Sequence, residues 1–186
     1  MVETGNPSVV LFMGSDSDWP VMSKASQVLD EFGVSHLAIV ASAHRSHDRT
    51  VRMARLFTRR GTRVFIAGAG AAAHLAGAVA AVTHRPVIGV PLASSTLAGL
   101  DSLLSTAQMP GGVPVACTAI GDAGAKNAAL LAIEILALSD RRLETRLLAY
   151  REAMEKDLIG KDAALQRQRR GGPPRPPDAG RVKLVP

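Results

Sequence analysis

Five short apolar runs punctuate the chain, and each is continuous rather than alternating. They are Val9-Val10-Leu11-Phe12-Met13, Leu37-Ala38-Ile39-Val40, Val64-Phe65-Ile66-Ala67, Val87-Ile88-Gly89-Val90 and Val113-Pro114-Val115-Ala116. A run of this length without polar alternation suits a strand covered on both faces. The first ends at Gly14, the third at Gly68 and the fourth at Pro91, which are turn residues. The fifth is the weakest, because Pro114 has no N–H to give a neighbouring strand.

Helical patterns fill the gaps. Trp19 to Phe32 places Val21, Met22, Ala25, Val28, Leu29 and Phe32 on one side and stops at Gly33. Asp48 to Arg60 does the same with Val51, Ala54, Leu56 and Phe57, and stops at Gly61. Shorter patterns cover Ala72 to Thr83 and Leu97 to Thr106. Gly124 to Leu138 is almost wholly apolar, which predicts burial. Strand and helix alternating at this spacing imply βαβ units and a parallel sheet. Five such strands predict a flavodoxin-like three-layer α/β/α sandwich. Cys117, beside the fifth run, reads as a small core filler.

Beyond the fifth unit the pattern changes. Asp140 to Leu158 predicts one more helix, with Leu143, Leu147, Leu148 and Met154 as its apolar stripe. The expected division is therefore a catalytic domain over residues 1–158, with that helix from about 140, and a disordered basic tail over 159–186. Five of the chain's eleven prolines fall between Gly160 and Pro186. Charge separates along the same line. The chain of 186 residues carries 22 Lys and Arg against 16 Asp and Glu. Seven of those bases and two of those acids lie from Gly160 onward, so the first 159 residues hold only +1 of the total +6. The basic character belongs to the tail, and the main domain carries no nucleic-acid signature. Aromatic residues at 3% give no stacking platform for bases. No apolar run is long enough to span a membrane, no signal-peptide pattern opens the chain, and one cysteine allows no internal disulfide. Cytoplasmic residence is the expectation.

Chemistry is expected beyond the carboxyl ends of the strands, where open parallel sheets bind ligands. Gly14-Ser15-Asp16-Ser17-Asp18-Trp19 follows the first run. It offers a tight turn, hydroxyls and a helix start, a setting for a phosphate or ribose and equally for a plain cap. Asp16 and Asp18 alone make a thin metal site. Ser42-Ala43-His44-Arg45-Ser46-His47 follows the second run. Arginine grips phosphates bidentately, and imidazole is the side chain suited to moving a proton near neutral pH. No thiol or third ligand accompanies His44 and His47 to make a zinc site. Gly68-Ala69-Gly70-Ala71-Ala72-Ala73-His74-Leu75 follows the third run. Its small residues let a ligand approach the backbone, but it lacks the dinucleotide fingerprint's spacing. Gln108-Met109-Pro110 is a loop.

Taken in order, GSDSDW, SAHR, GAGAAAHL, DSLLSTAQMPGGVPV and AIGDAGAKNAALLA resemble the N5-carboxyaminoimidazole ribonucleotide mutases, the class I PurE family of purine biosynthesis. The resemblance covers about residues 8 to 158 and implies a carboxylate shift on an aminoimidazole ribonucleotide, without cofactor or metal. The carboxylate moves from the exocyclic nitrogen to ring carbon 4 through loss and recapture of carbon dioxide. His44 matches the family's catalytic histidine, and Ser15, Asp18 and Arg45 match its substrate contacts. Ser17, Ser42, Ala69, Gly70 and Leu75 match more weakly, and His74 is an accessory candidate. The family is octameric, which would give the last helix a partner on a neighbouring chain. Some positions depart from the family pattern. Ser46-His47 stand for Thr-Pro, Ala71 stands for Gly and Ala76 for Pro. Ala71 adds a methyl where the backbone approaches a ligand or needs positive φ. Arg45 and His74 favour class I over the class II carboxylases, which use carbon dioxide directly and carry Lys after the SAH histidine. The alternatives are that class II activity, a flavin- or nucleotide-binding flavodoxin-like module, and nucleic-acid binding through the tail.

Overall fold

A computed structural model describes residues 6–170. Five parallel strands form one sheet: β1 (Val9–Met13), β2 (His36–Val40), β3 (Val64–Gly70), β4 (Val87–Leu92) and β5 (Ala116–Cys117). Their order is β2-β1-β3-β4-β5, with every pairing parallel. This is the flavodoxin-like order, and its direction reverses between β1 and β3. The helices are α1 (Trp19–Glu31), α2 (His47–Arg59), α3 (Leu75–Ala80), α4 (Leu100–Ala107), α5 (Asp122–Ala137) and α6 (Arg141–Arg170). The described residues divide into two compact units after Glu144.

Strand period decides which layer each residue joins. Val10 and Phe12 of β1, with Phe65 and Ala67 of β3, face one way and pack with Ala54 and Phe57 of α2 and Leu75 and Val79 of α3. The alternate residues of β1 are also fully buried. On the other side α1 packs against α5. This double burial is why the β1, β3 and β4 runs read as continuous, whereas edge strand β2 is fully enclosed only at Ile39. Each large side chain so buried, such as Phe12, Phe57 or Phe65, contributes about 1.5–3 kcal/mol. The expected burial of α5 holds along one side, where Gly124, Ala125, Ala128, Ala129, Ala132, Ile133 and Leu136 are enclosed.

Four local expectations change. The fifth strand is only Ala116–Cys117, pairing with Ile88 and Gly89, because the Pro114 segment cannot give a regular ladder. Cys117 sits half-buried on that edge strand and is no core filler. Helix α3 starts at Leu75 rather than Ala72, because Ala71 takes a left-handed φ of 51° and breaks the turn. Helix α4 starts at Leu100 rather than Leu97, because Ala98 (φ 51°) and Gly99 (φ 90°) are left-handed as well.

The second unit, taken alone, is helical from Thr145 through Arg170. The expected tail from 159 therefore begins inside a helix, and residues 171–186 lie outside the described residues. Lys-Asp-Ala-Ala-Leu-Gln-Arg-Gln-Arg-Arg consists mostly of strong helix formers, and one interior glycine, Gly160, costs only about 1 kcal/mol. Pairs four residues apart support it: Lys156 with Glu152 at 3.9 Å, Lys161 with Asp157, and Gln166 donating to Asp162 at 3.3 Å.

Candidate active site

The carboxyl ends of β1, β2 and β3 build the site. Met13 of β1 lies beside Val40 of β2, so those two strands end level, and β3 runs two residues past Gly68, the partner of Met13, before its loop begins. A cavity of about 420 Å³ opens there. Ser15, Ser17, Asp18, Ser42, His44, Arg45, Ala69, Gly70, His74 and Leu75 all line it. Every site residue expected from the sequence is thus gathered in one place. Asp16, His47 and Ala71 are not among its lining residues.

The β1 loop folds onto itself as a reciprocal cap. The Ser15 side chain accepts from the Ser17 N–H at 3.3 Å, and the Asp18 carboxylate accepts from the Ser15 N–H at 3.0 Å. This is a capping box with Asp in the third position. The Ser17 hydroxyl donates to the Ser15 hydroxyl at 2.8 Å. Burial pushes the Asp18 carboxyl above its ordinary value of 3.8. The backbone N–H groups of Ser15 and Gly14 and the Arg45 charge pull the other way, and Asp16 adds to the rise.

The β2 loop is tied across to the β1 loop. The Arg45 guanidinium donates to the Gly14 carbonyl at 2.8 Å, and its backbone N–H donates to the Ser42 hydroxyl at 3.1 Å. Ser46 holds the loop from below, accepting from the Ser42 N–H at 3.0 Å and donating to the Ser42 carbonyl at 3.1 Å. One Arg45 nitrogen is thereby fixed on the protein, and the remaining N–H groups are available to an oxyanion. Hydroxyls on one side and a guanidinium on the other are groups that can hydrogen-bond an oxyanion.

The β3 loop brings the second imidazole. His44 Nε2 and His74 Nδ1 are 2.7 Å apart, with the rings edge to face at a centroid separation of 4.9 Å. One ring nitrogen donates and the other accepts. His44, Arg45 and His74 are exposed in the single chain.

Gly14, Ala43 and Ala72, which also line it, belong to the three segments singled out from the sequence, and one lining residue, Ser94, lies outside them. Ser94 is the chemically significant one, being a hydroxyl from the loop after β4. A Cβ built on Gly70 would lie 1.7 Å from Ser94 Oγ, so the absent side chain at Gly70 makes room for that hydroxyl. The legible signal was the Ser94-Ser95-Thr96 run just past the carboxyl end of the fourth apolar stretch. Among the described residues, no group of three or more His, Cys, Asp or Glu side chains is placed to hold a metal ion, and no helix is long and apolar enough to cross a membrane.

Residues 8–157 match the family model described as AIR carboxylase. The chain belongs to the AIR carboxylase family. Among relatives of this AIR carboxylase family member, the N5-carboxyaminoimidazole ribonucleotide mutase of Thermotoga maritima is 49% identical over 160 residues, 86% of this chain and 92% of that one. The enzyme of the same name from Pyrococcus abyssi is 53% identical over 156 residues, 84% of this chain and 88% of its own. Among solved structures, the crystal structure of Treponema denticola PurE superposes with a TM-score of 0.78 at 30% identity, over 84% of this chain and 97% of that one.

Proposed function

We propose that this AIR carboxylase family member is an N5-carboxyaminoimidazole ribonucleotide mutase. Near 50% identity over most of the chain to relatives of that name supports the activity. The observation that carries the chemistry is the 2.7 Å contact between His44 and His74 beside a hydroxyl-and-arginine anion site. Ser15, Ser17, Ser42 and Arg45 hold the ribotide phosphate, and Asp18 orients the ribose. Ala69, Gly70 and Leu75 wall the space for the carboxyl group.

His74 Nδ1 accepts from His44 Nε2–H, which leaves His44 Nδ1 as the working nitrogen. Protonated there, His44 gives its proton to the exocyclic nitrogen as the N–C bond breaks and carbon dioxide is released. Ring carbon 4 attacks the carbon dioxide, and neutral His44 takes the ring proton from carbon 4. The proton returns to its donor, so the step is a net isomerisation that needs no co-reactant. The trapped gas must not meet bulk water. The exposure of His44, Arg45 and His74 in one chain supports an assembly, on the family's pattern a homo-octamer, in which a neighbour closes the cavity. The setting is cytoplasmic.

The test assays two substrates side by side. The carbamate ribotide is expected to turn over without additions. The uncarboxylated ribotide with bicarbonate and no ATP is expected to be far poorer. Turnover of the second alone would overturn the mutase reading in favour of a carboxylase that uses carbon dioxide directly.

A further inference from the structure

The polar side chains that line the cavity are engaged with the protein, with one exception. The Ser17 hydroxyl donates to the Ser15 hydroxyl, and the Ser42 hydroxyl accepts from the Arg45 N–H. Asp18 accepts from the Ser15 N–H, Arg45 donates to the Gly14 carbonyl, and His44 Nε2 meets His74 Nδ1. The Ser94 hydroxyl lines the same cavity and has no hydrogen-bond partner among the described residues. Its backbone is nevertheless held. Gly70, the last residue of β3, pairs with Leu92 of β4, and the Ser94 N–H donates to the Leu92 carbonyl at 3.1 Å. The Ser95 hydroxyl accepts from the Leu97 N–H at 3.1 Å, which fixes the turn beyond. The Ser94 hydroxyl thus occupies the space that a side chain at Gly70 would fill.

One unpaired donor therefore stands at a wall formed by Ala69, Gly70, Ala72 and Leu75, whose side chains carry no hydrogen-bonding group. In the proposed reaction that wall faces the carboxyl group as it moves. When ring carbon 4 attacks carbon dioxide, a ring electron pair forms the new C–C bond. One C–O π pair moves onto oxygen, and the proton on carbon 4 then passes to His44. Negative charge gathers on the carboxyl oxygens during that step, and a fixed hydroxyl beside them stabilises it as it develops. We infer that Ser94 is a further substrate-contacting residue, whose hydroxyl donates to a carboxyl oxygen as the bond to carbon 4 forms. The same hydroxyl holds the freed carbon dioxide against the Gly70 wall between release and recapture. This role rests on the mutase reading for its substrate, but the bond-forming step it serves is common to a mutase and to a carboxylase that takes carbon dioxide directly.

The test compares the full chain with its Ser94→Ala variant on carbamate ribotide whose carbamate carbon is isotopically labelled, in buffer with unlabelled bicarbonate. The parent is expected to deliver most of the label to carbon 4. Ser94→Ala is expected to lose turnover by about tenfold or more. It is also expected to divert a larger share of substrate to the uncarboxylated ribotide and to admit unlabelled carbon into the product. Its calorimetric affinity for the uncarboxylated ribotide is expected to match the parent's, because that ligand lacks the group Ser94 meets. The same titration shows that the variant is folded. A parent that ignores the carbamate ribotide but carboxylates the free ribotide with bicarbonate would defeat the mutase reading alone. The Ser94 effect is then read as slower carboxylation at unchanged ribotide affinity. Unchanged turnover and label retention in Ser94→Ala would overturn the role, and so would a loss of ribotide affinity as large as the loss of turnover.

Discussion

In the proposed mechanism a single proton position carries the chemistry, and it sits on His44. His44→Asn keeps a side chain of similar reach and removes the titrating group. It is expected to abolish turnover while leaving thermal stability and ribotide binding close to those of the parent, checked by assay, melting and calorimetry. Retained turnover would remove the proton-shuttle role. Asp18 has a different signature. Its carboxyl is raised in the folded chain, chiefly by burial, so above the ordinary value of 3.8 the folded state holds a proton that the unfolded state has lost. Stability therefore falls as pH rises from 3.8 through the raised folded value, and the contribution is greatest below that window. Asp18→Asn is expected to flatten this part of the stability–pH curve in urea unfolding; an unchanged slope would contradict the assignment. Ala71 is the strained residue. The left-handed region costs an alanine about 1–2 kcal/mol, and glycine gives back part of the gain through its freer unfolded chain. Ala71→Gly is expected to stabilise the fold by about 0.5–1 kcal/mol in urea unfolding. The place of His44 and Arg45 at the cavity is legible in the sequence, because both follow directly on an apolar run. That of Ser94 is not, because only the space over Gly70 shows that its hydroxyl reaches the cavity.

Elements were read best where burial on both faces left a continuous apolar run. β1 runs Val9–Met13, as its apolar run predicts, because every residue in it is enclosed. Ends were read worst where one backbone angle overrides propensity. Alanine favours a helix, so the Ala71-Ala72-Ala73 run reads as helical until the left-handed φ of Ala71 is known. Helix α6 departs in the opposite direction: the proline and glycine content beyond Leu158 predicts an early stop, and the helix continues through Arg170. Gly160 is the weak point of that extension, and a Cβ there would meet nothing within 4 Å. Gly160→Ala is expected to add about 1 kcal/mol to helix stability and to raise the helical circular-dichroism signal at elevated temperature. A fall in that signal would show that the glycine serves a bend.

At the scale of the whole molecule, charge and chemistry occupy different parts of the chain. The residues of the cavity lie between Gly14 and Ser94, and the family match ends at residue 157. Most of the net positive charge lies from Gly160 onward, and α6 carries Lys161, Arg167, Arg169 and Arg170 of it. Removing residues 171–186 is accordingly expected to leave kcat/KM for the ribotide unchanged, and a marked loss would bring that segment into catalysis. The pairing of β1 with both β2 and β3 has a consequence for how activity is acquired. Val9 pairs with His36 on one side and with Val64 on the other, so β1 is locked only when distant parts of the chain have met. Such pairings close late and slowly in folding. No amino-terminal fragment lacking β3 can bring His74 to His44. Catalysis during refolding should therefore emerge in a single step with complete sheet assembly, and a nascent chain has no partly working enzyme to release.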